Sequence, residues 1–198
     1  MSETPRVVCL GNLTIDDVVM PDGRTFMARC GGDALYSGFA ARFWLDEVGI
    51  VAPIGNDYPE EHLDRLREVG WDLAGFCRRD VPSIRAWVLY EADGRRTFVL
   101  RSRREHFLIL SPTMDDIPPA WLNAQGFHIA AMELEAQEEL SERLKGRGAV
   151  TSLDPRLEYI ANNEDRIRRL IGRVDIFTPG FDEVEALLGH NDYRRAAR

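Results

Sequence analysis

The chain has 198 residues, 44% hydrophobic and 29% charged, with a formal net charge of −8. This composition suits a single globular domain with a sizeable core, and the acidic balance excludes a general nucleic-acid or anionic-membrane binder, which needs a basic face. No apolar run reaches transmembrane length, and the opening MSETPRVV lacks the basic-then-apolar pattern of a leader.

Arg6–Leu10 reads as a short apolar strand ending in Gly11-Asn12. Val18–Met20 and Arg24–Met27 read as short extended pieces around the turn Pro21-Asp22-Gly23. Gly31-Gly32 then opens a helix expected over Asp33–Asp46, with Leu35, Phe39 and Phe43 on one face. Glycines at such a junction let the backbone approach a ligand, and the first-turn N–H groups can face anionic atoms. The plainer reading of the pair is a tight turn. Val48–Pro53 is the next strand, followed by Gly55-Asn56-Asp57, a helix from about Glu60 to Val69, and a short extended piece over Leu73–Cys77.

Ile84–Tyr90 and Arg96–Arg101 alternate in the manner of strands, and Asp93-Gly94 between them favours a hairpin turn. Arg101, Arg103 and Arg104 follow as a basic knot, read either as a solvated turn or, at Arg101, as a holder of an anionic or polyhydroxylated ligand. After the irregular stretch Ser111–Pro119 the alternation resumes, with strands over Gly126–Ala131, Ala149–Leu153 and Asp175–Thr178. The helices between and after them are expected over Glu135–Lys145, Glu164–Ile171 and Phe181–Leu188. Alternating β and α segments with apolar strands predict an α/β fold: a doubly wound, mostly parallel sheet with helices on both faces. Ligands bind such sheets at the carboxyl ends of the strands. The polar residues there are Asn12, Asp16, Asp57, Glu133, Asp154 and the Thr178-Pro179-Gly180 turn.

Each candidate also has a structural reading. Asp16 and Asp57 can cap turns, Glu133 and Glu183 suit helix starts, and Asp154-Pro155 suits a strand-end turn. Phe39, Phe43 and Trp44 read as core or interface. Cys9, Cys30 and Cys77 read as reduced cytosolic thiols, so a cytoplasmic location is expected. His62, His106, His128 and His190 lack metal-ligand spacing. Lys145 is the only lysine, which excludes a G-x-x-x-x-G-K-[ST] loop and leaves no Schiff-base lysine in a strand or pocket segment.

In order along the chain, VVCLGNLTIDDVV, CGGDALYSGFAARF, VAPIGNDYP, the hairpin RAWVLYEADGRRTFVLR, IAAMELE, SLDP and DIFTPGFDEVEALLG are similar to the motifs of the ribokinase-like (PfkB-type) carbohydrate kinases. The resemblance covers nearly all of residues 1–198. It implies a doubly wound α/β domain with a small β-sheet lid, here about 18–28 and 84–101. It also implies transfer of the ATP γ-phosphoryl group to a hydroxyl of a sugar, nucleoside or related alcohol, with Mg²⁺. Carried onto this chain, Asp16, Gly31, Gly32 and Glu133 would contact substrate, Asp16 as an acceptor for hydroxyls, and Asp57 and Arg101 are further substrate-side candidates on their own position in the chain. Glu183 would order Mg²⁺ through water on the ATP side.

Tyr36 and Gly180 stand where the family often has Asn, and no G-A-G-D run is present. The family's anion hole and catalytic Asp would lie beyond Arg198. The chain as given is therefore expected to carry the substrate-binding and lid part, and to be inactive alone. The alternative is a non-catalytic sugar- or nucleoside-binding protein, or a remnant acting through association. A homodimer through the lid is expected, and a raw sheet edge predicts self-association.

Overall fold

The computed structural model describes residues 4–190 and 192–196; the first three residues of the stretch read for a leader lie outside them. Five short apolar strands form a wholly parallel sheet: β1 (Val7–Leu10), β4 (Val48–Val51), β9 (Gly126–Ile129), β10 (Val150–Leu153) and β11 (Ile176–Phe177), in the order β11-β10-β9-β1-β4. A second, four-stranded sheet is mixed, in the order β3-β2-β7-β8: β2 (Thr14–Val19), β3 (Thr25–Gly31), β7 (Ile84–Tyr90) and β8 (Arg96–Leu100). Two short strands, β5 (Ile54–Gly55) and β6 (Arg78–Arg79), pair between the two.

Helices α1 (Asp33–Arg42) and α2 (Glu60–Glu68) lie on one side of the large sheet, where Leu35, Leu63 and Leu66 share a core with Cys9 and Ile50. On the other side, α4 (Leu134–Leu144), α5 (Glu164–Ile171) and α6 (Phe181–Leu188) bury Leu140, Ile167 and Leu170 against Phe127, Ile129 and Leu153, with Leu187 packed at the edge. Helix α3 (Arg104–Leu110) leads from the small sheet back to the large one, and α7 (Tyr193–Ala196) follows α6.

Several expected boundaries are corrected. The small-sheet strands are longer than Val18–Met20 and Arg24–Met27, so Asp16 stands within a strand and not at a turn. No strand forms over Leu73–Cys77; the pairing falls instead on Arg78–Arg79. Helix α1 stops at Arg42, four residues early, because backbone bonds of the 3₁₀ type, such as Phe43 N to Ala40 O, tighten the end. Phe43 and Trp44 are consequently 87% and 86% exposed, outside the core. Arg104 opens a helix whose Phe107 and Leu110 are buried, so the basic knot is not a solvated turn throughout.

Candidate substrate site

Asp16 is 8% exposed on β2, in register with Arg29 of β3 and Ala86 of β7. The Gly31 backbone makes the room: a Cβ there would stand on the Asp16 carboxylate, 2.7 Å from the Thr14 hydroxyl. Gly32 has a different task. Its φ is +110°, and a Cβ would meet the Asn12 carbonyl and come within 2.7 Å of the Leu13 Cα. The pair thus presses the end of β3 against the β1–β2 connection and sets Asp16 beside the start of α1. Burial pushes the Asp16 pKa up, the Thr14 hydroxyl pulls it down, and neighbouring Asp17 adds a further push.

Other polar groups surround this point. The Tyr36 phenol is pushed up by burial, then by Asp16, Tyr90, Cys30 and Asp33. Asp33 reaches solvent, yet desolvation pushes its carboxyl up; Arg156 and Arg96 pull it back, while Asp16 and Glu158 raise it. At the end of β10, Asp154 is pushed up to about 6, first by burial, then by Asp33 and Glu183. Glu183 sits in the first turn of α6 with its carboxylate folded over Gly180, the position where Asn was expected. Asp33, Asp154 and Glu183 therefore hold a concentration of negative charge at the carboxyl ends of the large-sheet strands. Among the described residues, no three His, Cys, Asp or Glu side chains gather closely enough to hold a metal ion by themselves.

Glu133 is 1% exposed at the start of α4. Its carboxylate accepts the Tyr159 hydroxyl and faces Arg104 Nε at 3.5 Å and Arg156 Nη1 at 3.8 Å. The Arg156 guanidinium stacks 4.7 Å from the Phe107 ring and 5.5 Å from Tyr159. Tyr159 is pushed up to about 12, by burial and then by its bond to Glu133. Glu133 is thus the anchor of a network joining α3, α4 and the segment after β10. Asn12 is similarly engaged, donating from Nδ2 to the Leu110 carbonyl at 2.8 Å.

Two predicted residues stand apart from Asp16. Asp57 accepts the Ser83 backbone N–H at 2.6 Å and Arg85 Nη2 at 3.2 Å, clamping the turn after β5 to the start of β7. Burial opposes its ionisation, but the bonds from Ser83 and Arg85 outweigh that and lower its pKa. Arg101 faces Asp17 at 3.5 Å, and Asp16 and Asp17 alternate across the sheet. Asp17 also accepts the Ala28 N–H at 2.8 Å within the bulge that interrupts the β2–β3 pairing.

The side of the small sheet that carries Asp16 also carries, by register, Ala86, Val88 and Tyr90 of β7 and Leu100, Phe98 and Arg96 of β8. Phe98 and Leu100 remain half-exposed there. Sequence reasoning missed Asp33, Arg156 and Tyr159. The first follows Gly31-Gly32 directly, which was a usable signal; Tyr159 offered none.

No protein-family model matches the sequence. A cytidine kinase from Thermococcus kodakarensis is 31% identical over 194 residues, which are 97% of this chain and 67% of that protein. The crystal structure of a PfkB protein from Polaromonas sp. JS666 superposes with a TM-score of 0.75 at 21% identity, over 98% of this chain and 72% of that one. A putative ribokinase II from E. coli, in complex with ATP and Mg²⁺, gives 0.72 at 20% identity, over 98% and 68%. These two structural likenesses are likenesses of fold, and the chain spans about two thirds of each relative's length.

Proposed function

Because this chain belongs to the ribokinase-like (PfkB-type) carbohydrate kinase family, we propose that it binds the acceptor alcohol of an ATP-dependent phosphoryl transfer, and that the acceptor is a nucleoside. The observation that carries the reading is the buried Asp16 carboxylate beneath a half-exposed apolar strip of the small sheet. An ionised carboxylate only accepts hydrogen bonds, which suits the hydroxyls of a ribose. A free sugar offers only a small C–H face and would leave much of Phe98 and Leu100 facing water, half-exposed as they are. A nucleoside brings a flat base to cover them; Tyr90 shares that side of the sheet by register, and Tyr36 lies near enough to feel the charges of Asp16 and Tyr90. The named activity of the 31% identical relative supports this acceptor class.

On this proposal the small sheet serves as a lid whose closure over the base excludes water from the Asp16 side. Glu133 shapes the inner wall through Tyr159 and Arg156. The excess negative charge about Asp154 fits a nearby hard cation. Glu183 and Asp154 would hold Mg²⁺ through water, and the ion would offset charge on the ATP phosphates. The sequence offers no glycine-rich anion hole with an adjacent Asp base. These residues alone are therefore proposed to bind acceptor without transferring phosphoryl.

Thermal unfolding with cytidine, uridine, inosine or free ribose, each with and without MgATP, tests the reading. A nucleoside at about 100 times its Kd should stabilise by about 2.7 kcal/mol, or roughly 5–11 °C for a chain of this size. Free ribose should shift the transition less. Equal shifts from ribose and nucleosides, or none from any, would overturn the nucleoside assignment; turnover of ATP would overturn the claim of inactivity.

A further inference from the structure

The apolar strip on the Asp16 side of the small sheet ends in a charged group. Asp16 is in register with Ala86 of β7, and Ala86 with Leu100 of β8. Along β8 from there, the same side carries Phe98 and then Arg96, which stands opposite Tyr90. At about 3.4 Å per residue and about 4.8 Å per strand, the Phe98 Cα is about 12 Å and the Arg96 Cα about 17 Å from that of Asp16. The Arg96 side chain folds back along the strip, its guanidinium carbon 5.4 Å from the centre of the Phe98 ring. It also lies toward the start of α1: burial pushes the Asp33 carboxyl up, and the charges of Arg156 and then Arg96 pull it back.

The other arginines of the hairpin are engaged elsewhere. Arg95 pairs with Asp93 at 2.6 Å, and Arg101 faces Asp17 at 3.5 Å on the opposite side of the sheet. Arg96 makes no ion pair among the described residues. A base lying on Phe98 shows the ring its π-face, and stacking of that kind tolerates every base. The base edge is where nucleosides differ. The Tyr90 hydroxyl both donates and accepts, whereas a guanidinium only donates, through a rigid fork of N–H groups that fits two adjacent acceptors. Cytosine offers such a pair in O2 and N3, and guanine in O6 and N7. Uracil places an N–H between its carbonyls, and adenine an amino group beside N7.

We propose that Arg96 reads the base of the acceptor nucleoside, donating its forked N–H groups to two adjacent acceptors on the base edge and so selecting a cytosine- or guanine-type base over uracil and adenine. The inference rests on the nucleoside reading above and adds the group that tells one nucleoside from another. Asp16 and Arg96 then hold opposite ends of one ligand, the ribose hydroxyls at the first and the base edge at the second. The two side chains and a nucleoside between them bridge the separation along the strip; free ribose meets only Asp16.

Calorimetric titration of the chain with cytidine against uridine, and with guanosine against adenosine, tests it within pairs of equal ring size. In at least one pair the member with two adjacent acceptors should bind about 5–150-fold tighter. Arg96→Met keeps an apolar stem along Phe98 and should erase that preference while the weaker member binds as before. Arg96→Lys keeps the charge without the fork and should lose most of it. The residue is exposed, so circular dichroism should be unchanged in both variants. The preference of the parent chain is read without any substitution and stays informative if a variant misfolds. Equal affinities within both pairs, or a preference that survives intact in Arg96→Met or Arg96→Lys, would overturn this assignment and leave the nucleoside reading standing. Absence of binding by all four nucleosides would overturn both.

Discussion

Replacing Gly31 by Ala tests the construction of the site most directly. The added methyl would fall on the Asp16 carboxylate, 2.9 Å from its Cγ and 2.7 Å from the Thr14 hydroxyl. Ordinary contact lies near 3.5–4.0 Å, so these atoms must retreat by about 1 Å. They are the ends of side chains, not backbone, and the site can yield. The expected cost is about 1–3 kcal/mol of stability, or roughly 2–12 °C in Tm. The displaced carboxylate should also lose its charged hydrogen bonds to substrate hydroxyls, worth about 1.5–3 kcal/mol, a loss of roughly 10–150-fold in affinity. Calorimetric titration of nucleoside into the parent chain, Gly31→Ala, Asp16→Ala and the double variant closes a cycle. Once Asp16 is gone, Gly31→Ala has little further affinity to remove, so the two should couple by more than about 1 kcal/mol. Parent-like affinity in Gly31→Ala, or strict additivity across the cycle, would refute the link between this glycine and that carboxylate.

Gly32→Ala should be worse for folding than Gly31→Ala, since it combines a φ of +110° with collision against backbone; a loss of about 2–6 kcal/mol is expected by chemical denaturation. Asp154 should confer pH dependence. Its folded pKa of about 6 exceeds the ordinary 3.8, so the folded chain holds the proton more tightly and stability falls as pH rises between those values. Asp154→Asn should raise Tm at about pH 7.5 and leave it unchanged at about pH 4. Tyr159→Phe leaves the buried Glu133 short of a donor and should cost about 1–3 kcal/mol in denaturant titrations. Ala28 has φ +50° in the bulge, and Ala28→Gly should stabilise the chain by up to about 1 kcal/mol, measured the same way.

The alternation of strand and helix was legible because VVCL, VGIV and GFHI are short apolar runs with clear punctuation. The small-sheet strand TIDDVV was misread at its start because two adjacent aspartates imitate a turn. Both are nevertheless buried, one because Gly31 yields space and the other because it supports the bulge at Ala28. In α1 the spacing of Leu35, Phe39 and Phe43 implied a buried stripe, but helical spacing does not reveal where a sheet stops supporting a helix. The candidate residues near Asp16 were largely readable from their place at strand ends. The network around Glu133 was not. Arg104, Arg156 and Tyr159 reach it from segments far apart in sequence, and only the folded topology brings them together.

The contact of Gly32 with Asn12 and Leu13 has a mechanical consequence. Two of the chain's passages between the sheets, one entering β2 and one leaving β3, cross at a single point. A tilt of the small sheet relative to the large one would strain that crossing, together with the Asp57 clamp on Ser83 and the passage from β8 into α3. The hairpin tip at Asp93-Gly94 belongs to the strands farthest across that sheet, so it travels the longest arc. A fluorophore placed at the tip would magnify a small rotation into a measurable displacement, whereas an extra residue inserted at the crossing would disengage the two layers.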